Sequence, residues 1–154
     1  MTRAVSTPLG ATLLALVTVL LAALVAAGTF GIAADATPSP ADPVVLSATA
    51  SDDGTVTLQH RAGPPLDVGS LDVRVRVDGT RLTHQPPVPF FAATGFDGGP
   101  TGPFNPAADQ TWTAGERASF QVAGTNDPTL AAGRTVTVRV YRDGTPLATA
   151  ETTV

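Results

Sequence analysis

The stretch LDVRVRVDGTRLTH, residues 71–84, decides the fold. Leu71, Val73, Val75 and Val77 alternate with Asp72, Arg74 and Arg76, a period of two that sends one set of side chains inward and the other to water. Asp78-Gly79 then offers the two positive-φ positions of a tight hairpin turn, so the pattern predicts a strand over 71–77 returning through 80–84. The same signature recurs outward from it. Residues 55–60 alternate, with Val56 and Leu58 on one face, after a turn at Asp53-Gly54 and a first strand over 44–51. Residues 135–141 alternate through Val136, Val138 and Val140, turn at Asp143-Gly144 and close with a strand over 146–154. Residues 111–113 and 116–123 supply two more, the latter with Ala118, Phe120 and Val122 on one face. Asp-Gly-Thr occurs at 53–55, 78–80 and 143–145 without a fixed period, which reads as similar turns and not as a solenoid repeat. Six to eight short strands joined this way predict an all-β antiparallel sandwich, immunoglobulin-like, over residues 44–154.

Two segments depart from the alternation inside that domain. RAGPPLDVGS, residues 61–70, reads as a loop. Residues 85–110 hold six Pro, four Gly and four of the six Phe: Phe90, Phe91, Phe96 and Phe104. A connection of this length inside a compact domain is unusual and often functional. Its phenyl rings either lid an open end of the sandwich or form a contact surface for a neighbouring subunit or ligand.

Upstream, the pattern changes completely. Residues 4–34 carry no charge, and the run from Leu9 to Ala27 spans 19 residues. At ~1.5 Å per residue that run approaches a ~30 Å hydrocarbon layer, and a helix is the single segment that crosses lipid with its backbone satisfied. Ser6 or Thr7 can cap such a helix, with Pro8 in its first turn. Ala11 and Ala15, and Ala22 and Ala26, stand four apart, a spacing that lets helices approach closely. Arg3 is the cation on the short side, which places the N-terminus in the cytoplasm and the β-domain outside. DATPSPADP, residues 35–43, is a stiff Pro-rich linker.

Composition excludes several function classes. The nine basic residues are all Arg, and beyond Ala34 eight Arg face 13 acidic residues, a balance of −5. Such a surface argues against nucleic acid as a partner. With no Cys there is no disulfide and no thiolate metal site. His60 shares parity with Val56 and Leu58, so it reads as a hydrogen-bonded histidine at the core margin. His84, at the end of a hairpin arm, also reads as structural. Asp52, Asp53 and Asp97 read as turn formers. Trp112 and Tyr141 read as packing residues. No nucleophile, acid–base pair or phosphate-binding motif is present, so the residues predict no enzyme, no cofactor and no metal.

The start, RAVSTPLGATLLALVTVLLAALVAAGTF from Arg3, resembles the archaeal type IV pilin N-terminal family, whose haloarchaeal members begin with a basic residue, a small residue, then Val-Ser-Pro-Val-Ile-Gly and a long apolar helix. Here the motif reads Val5-Ser6-Thr7-Pro8-Leu9-Gly10. Leu9 stands where bacterial type IV pilins carry a glutamate, which places the resemblance with the archaeal branch or with a minor subunit. The text VTLQHRAGPPLDVGSLDVRVRVDG also resembles the β-domain of haloarchaeal pilins. The resemblance implies a leader over 1–4, cut by a prepilin peptidase after Ala4 with Arg3 before it and Val5 as the new N-terminus. It implies a helix over 5–34 that waits in the membrane and then joins other pilin subunits in a surface filament, serving adhesion or attachment. The rival expectation is a single-pass anchored or secreted ligand-binding sandwich, for which Ala34-Asp35-Ala36 fits a signal-peptidase site.

Overall fold

A computed structural model describes residues 13–19 and 43–154. Residues 13–19 form a helix, α1, whose side chains are all exposed; Leu14 and Val19 are 70% and 68% accessible. The Thr18 hydroxyl donates to the carbonyls of Leu14 and Ala15 at 3.1 and 2.9 Å, so the one polar side chain of α1 is satisfied within the helix itself. Among the described residues no helix is long and apolar enough to cross a membrane. Arg3, Ala4, Val5, Ala11, Ala22, Ala26 and residues 35–42 lie outside the described residues.

The second unit of the chain, over its described residues 43–154, is all β apart from two short 3-10 turns. A three-stranded sheet has the order β1 (Val45–Ala50), β2 (Thr55–Ala62), β7 (Arg117–Gln121). A four-stranded sheet has the order β5 (Thr80–Arg81), β4 (Leu71–Val77), β8 (Thr135–Arg142), β9 (Thr145–Thr153). Every pairing is antiparallel. Val56, Leu58, Ala118 and Phe120 from the first sheet share one buried cluster with Val73, Val75, Val136, Val138 and Val140 from the second. The result is a β-sandwich, and β1 of one sheet lies against β9 of the other. Each buried Val or Leu contributes ~1.5–3 kcal/mol of transfer free energy, and the cluster replaces the disulfide this Cys-free domain lacks.

The key strand runs over the residues its alternation predicts, 71–77, paired with β8 from Leu71↔Arg142 to Val77↔Val136. Its return arm is shorter than the pattern implies. Only Thr80 and Arg81 form a regular pairing with it; beyond them Leu82 N still donates to Val75 O at 3.2 Å, but the Gln85 side chain is inserted into the other half of that pair. The Gln85 amide oxygen accepts from Val75 N at 2.6 Å, while its nitrogen donates to Val75 O and Leu82 O at 3.1 and 2.8 Å. A side-chain amide thus stands in for a strand residue, and the chain is free to leave the sheet.

Residues 61–70 are not simply a loop. Leu66–Asp67 forms β3, paired with β6 (Thr111–Trp112), and a 3-10 turn follows over Val68–Ser70. Leu66 and Val68 are fully buried, and the Asp67 carboxylate caps the turn by accepting from Gly69 N at 3.1 Å. Two apolar anchors and one Asx cap outweigh the Gly-Pro-Pro that precedes them.

Candidate functional site

The Phe-rich segment is built into the sandwich. Phe90, Phe96 and Phe104 are buried, at 6%, 8% and 0% exposure, whereas Phe91 is 65% exposed. Their rings continue into those of the sheets: Phe90 meets Phe96 at 5.5 Å, Phe96 meets Phe120 at 5.8 Å, Phe120 meets Phe104 at 6.3 Å, Phe104 meets Trp112 at 5.2 Å, and Trp112 meets His60 at 5.7 Å. Most of these contacts are tilted or edge-to-face, the arrangement that aligns positive ring edges with negative faces. Of the four phenyls singled out as a contact loop, only Phe91 faces water. The other three form the wall against which β7 packs.

The backbone of the segment does equal work. Bridges Phe96↔Val122 and Thr101↔Ser119 lay residues 96–101 along the free edge of β7. Asp97 N donates to Gln121 O at 2.9 Å, and Thr101 N donates to Ser119 O at 2.9 Å. The edge of the three-stranded sheet is therefore covered, which removes a row of unpaired groups that would invite another strand. Gly102, at φ +60°, makes the exit turn; a Cβ there would stand 2.2 Å from Arg117 O, so glycine is required. Asn126, 2% exposed, ties the segment to the hairpin arm. Its nitrogen donates to His84 O and Gly95 O at 2.9 and 3.1 Å, and its oxygen accepts from His84 N at 3.0 Å.

The two histidines behave differently from each other. His84 is exposed and is held only through its backbone. His60 is fully buried and so lies in the core, deeper than the margin where its parity alone places it. Its Nδ1 lies 3.1 Å from the carbonyl of Trp112, which can only accept, so Nδ1 is the donor. Nε2 has no partner among the described residues. Gly63, at φ +120°, passes over it, leaving room for no side chain: a Cβ would be 3.0 Å from Pro43 O and 3.4 Å from Nε2. A single buried ring nitrogen with no second ligand donor beside it is a structural arrangement. Among the described residues no three His, Asp or Glu side chains gather as metal ligands do.

A groove of about 240 Å³ lies on the outer face of the three-stranded sheet, lined by Ser47, Ala48, Thr49, Thr57, Gln59 and Arg117. Hydroxyls, an amide and one guanidinium can hold a polar or anionic ligand, and none of these lining residues is a carboxylate or imidazole. Sequence pattern alone passed over these residues because each is an ordinary water-facing strand position. Only the register Ser47↔Gln59, Thr49↔Thr57 and Gln59↔Arg117 assembles them. The turn aspartate Asp53 accepts from Thr55 N at 2.9 Å, and that backbone bond holds its carboxyl below the ordinary value of 3.8.

No protein-family model matches this chain, and no curated protein proves similar to it.

Proposed function

We propose that this chain is a type IV pilin-like subunit of the archaeal branch, held in the membrane by its N-terminal helix before assembly into a surface filament that serves attachment. The observation that carries this reading is the uncharged stretch over residues 4–34, led by Arg3-Ala4. Its described part, α1, exposes Leu13, Leu14, Leu16, Val17 and Val19 and carries no charge. A helix apolar all round needs lipid or other helices around it, and a filament core made of such helices meets that need after the leader is removed. A β-sandwich, immunoglobulin-like in its three-plus-four strand arrangement, suits the coat of such a filament because it is stable by packing alone. On this reading the partners are the membrane, a prepilin peptidase and other pilin subunits, and the chain is no enzyme.

The second reading, an anchored or secreted sandwich that binds a ligand, is favoured by the groove beside Arg117. Mass analysis of the mature N-terminus separates the two. A start at Val5 together with recovery in filaments supports the subunit reading. A start at Thr37 assigns ordinary secretion, and an intact Met1 assigns a plain anchor. Ala4→Leu is expected to block maturation and leave the chain in membranes; normal maturation of that variant would overturn the prepilin assignment.

A further inference from the structure

The outer face of the four-stranded sheet gathers half of the domain's arginines. Register places Arg81, Arg76, Thr137 and Glu151 in one row across the four strands, and Arg74, Arg139 and Thr149 in the next. Arg76 is thus directly opposite Arg81, and Arg74 directly opposite Arg139. Like charges facing each other across a ladder destabilise a sheet, and this happens twice in a domain whose overall balance is acidic. Two carboxylates stand on the face against four arginines: Asp72, and Glu151, which accepts from the Thr137 hydroxyl at 3.2 Å and forms no ion pair among the described residues. Asp72 pairs with Arg74 at 2.6 Å, while Arg76 donates to the Gly79 carbonyl. Arg139 and Arg81 have no ion pair among the described residues. Arg74 is also held 4.4 Å above the Tyr141 ring, so its guanidinium is fixed in place and its charge is kept by the bond to Asp72. With four arginines against two carboxylates, the face keeps a net positive charge around two like-charged pairs.

The complementary charge is on the same chain, at the β1–β2 turn. Asp53 and Asp97 flank Gln121: the Gln121 side chain donates to Asp53 O at 2.9 Å, and Asp97 N donates to Gln121 O at 2.9 Å. Asp52 precedes them in the turn. All three are exposed, and none forms an ion pair among the described residues. The arginine face belongs to one sheet and the acidic tip to the end of the other.

We infer that the arginine face of one copy, centred on Arg74, Arg76, Arg81 and Arg139, docks the acidic tip of a second copy formed by Asp52, Asp53 and Asp97. This rests on the subunit reading above and names the contact between its outer domains. A face cannot pair with itself, because arginine would meet arginine, so the contact is heterologous. A contact of that kind repeats head to tail and builds an open array in place of a closed dimer. The interaction is between exposed charges, so it sets register and spacing and weakens with salt.

The absence of cysteine makes the test clean. Full-length chains carrying Arg139→Cys are co-expressed with full-length chains carrying Asp97→Cys, and the filament fraction is treated with a short bifunctional thiol reagent. A linked dimer is expected in the mixture, not with either chain alone, and is expected to disappear when Arg74→Glu and Arg81→Glu are added to the Arg139→Cys chain. Adding Asp52→Arg and Asp53→Arg to the Asp97→Cys partner is expected to restore it. A dimer as abundant with one cysteine variant alone overturns the inference. So does a missing dimer in filaments whose subunits begin at Val5, and that result leaves the subunit reading standing. A chain that begins at Thr37 and forms no filament defeats the subunit reading instead. Retention of the unmodified chain on dextran sulfate, lost on the Arg→Glu changes and unaccompanied by the mixed dimer, reassigns the face to a polyanion and also overturns it.

Discussion

The hydroxyls of Thr101 and Ser119 lie 2.7 Å apart, and their backbones are bonded in both directions, Thr101 N to Ser119 O at 2.9 Å and Ser119 N to Thr101 O at 3.4 Å. That pair makes a strand edge out of a segment composed largely of Pro, Gly and Phe. It turns the longest irregular stretch of the domain into the cover of β7.

The exit from that edge depends on Gly102. Gly102→Ala is expected to destabilise the domain by ~2–3 kcal/mol, since its Cβ would run into Arg117 O and its φ is left-handed. For a domain of this size that corresponds to a fall of roughly 10–15 °C in the unfolding midpoint. Gly98, at φ +64° with nothing within 4 Å of its Cβ position, is the control, and Gly98→Ala is expected to cost only ~1 kcal/mol. Equal midpoints for the two variants would refute the role assigned to the Arg117 contact.

His60 supports the only tryptophan of the chain. His60→Ala is expected to cost ~3 kcal/mol, from the cavity left in the core and from the Trp112 carbonyl left without its donor. Trp112 is itself fully buried, so its fluorescence reports the change directly. A red-shifted emission and an earlier urea midpoint should coincide. Wild-type emission with an unchanged midpoint would show that the ring is not a support.

Asn126 donates to two carbonyls from different segments, those of His84 and Gly95. Asn126→Asp keeps the shape but replaces both donors by a carboxylate oxygen, and a loss of ~2–3 kcal/mol is expected. Chemical denaturation checks this. A variant as stable as the parent would mean that the amide is not the tie between hairpin arm and Phe-rich segment.

The β1–β2 turn should respond to acid. The N–H of Thr55 holds the Asp53 carboxyl below its ordinary value, so the ionised form is favoured in the folded turn. The stabilisation is present above the ordinary carboxylate value of 3.8 and is lost as pH falls through the lower folded value. Amide exchange at Thr55, corrected for its intrinsic pH dependence, is therefore expected to lose protection in that acidic window. Asp53→Asn, which keeps an acceptor but cannot titrate, should keep its protection there. Identical profiles for the two chains would rule out the carboxylate as the cause.

Much of the β-domain was legible in the alternation itself. Residues 71–77 and the strands around Val56 and Val138 are strongly patterned, because a half-buried sheet imposes a period of two that nothing else in the chain imitates. Two of the three Asp-Gly turns were legible for the same local reason: Asp78 and Asp143 both adopt φ 49°, as the tight hairpin requires, whereas at Asp53-Gly54 only the glycine is left-handed, so that turn is of a different kind. The limits of the return arm were not, because Gln85 competes for Val75 through a side chain, and no periodicity encodes that. Nor was β3, two residues long, which pairs with the strand expected at 111–113 because Leu66 and Trp112 need a common core.

By itself the sequence determined the uncharged N-terminal stretch, the antiparallel β class of the domain, and the absence of any residue set for thiol chemistry. These are properties of composition and short-range period. Only the tertiary structure decided that Phe90, Phe96 and Phe104 point inward while Phe91 does not, that His60 sits in the core against Trp112, and that four arginines share one face. Each of these depends on which strands become neighbours and in what register. That is settled by burying one common apolar surface, which no local stretch of chain can specify alone.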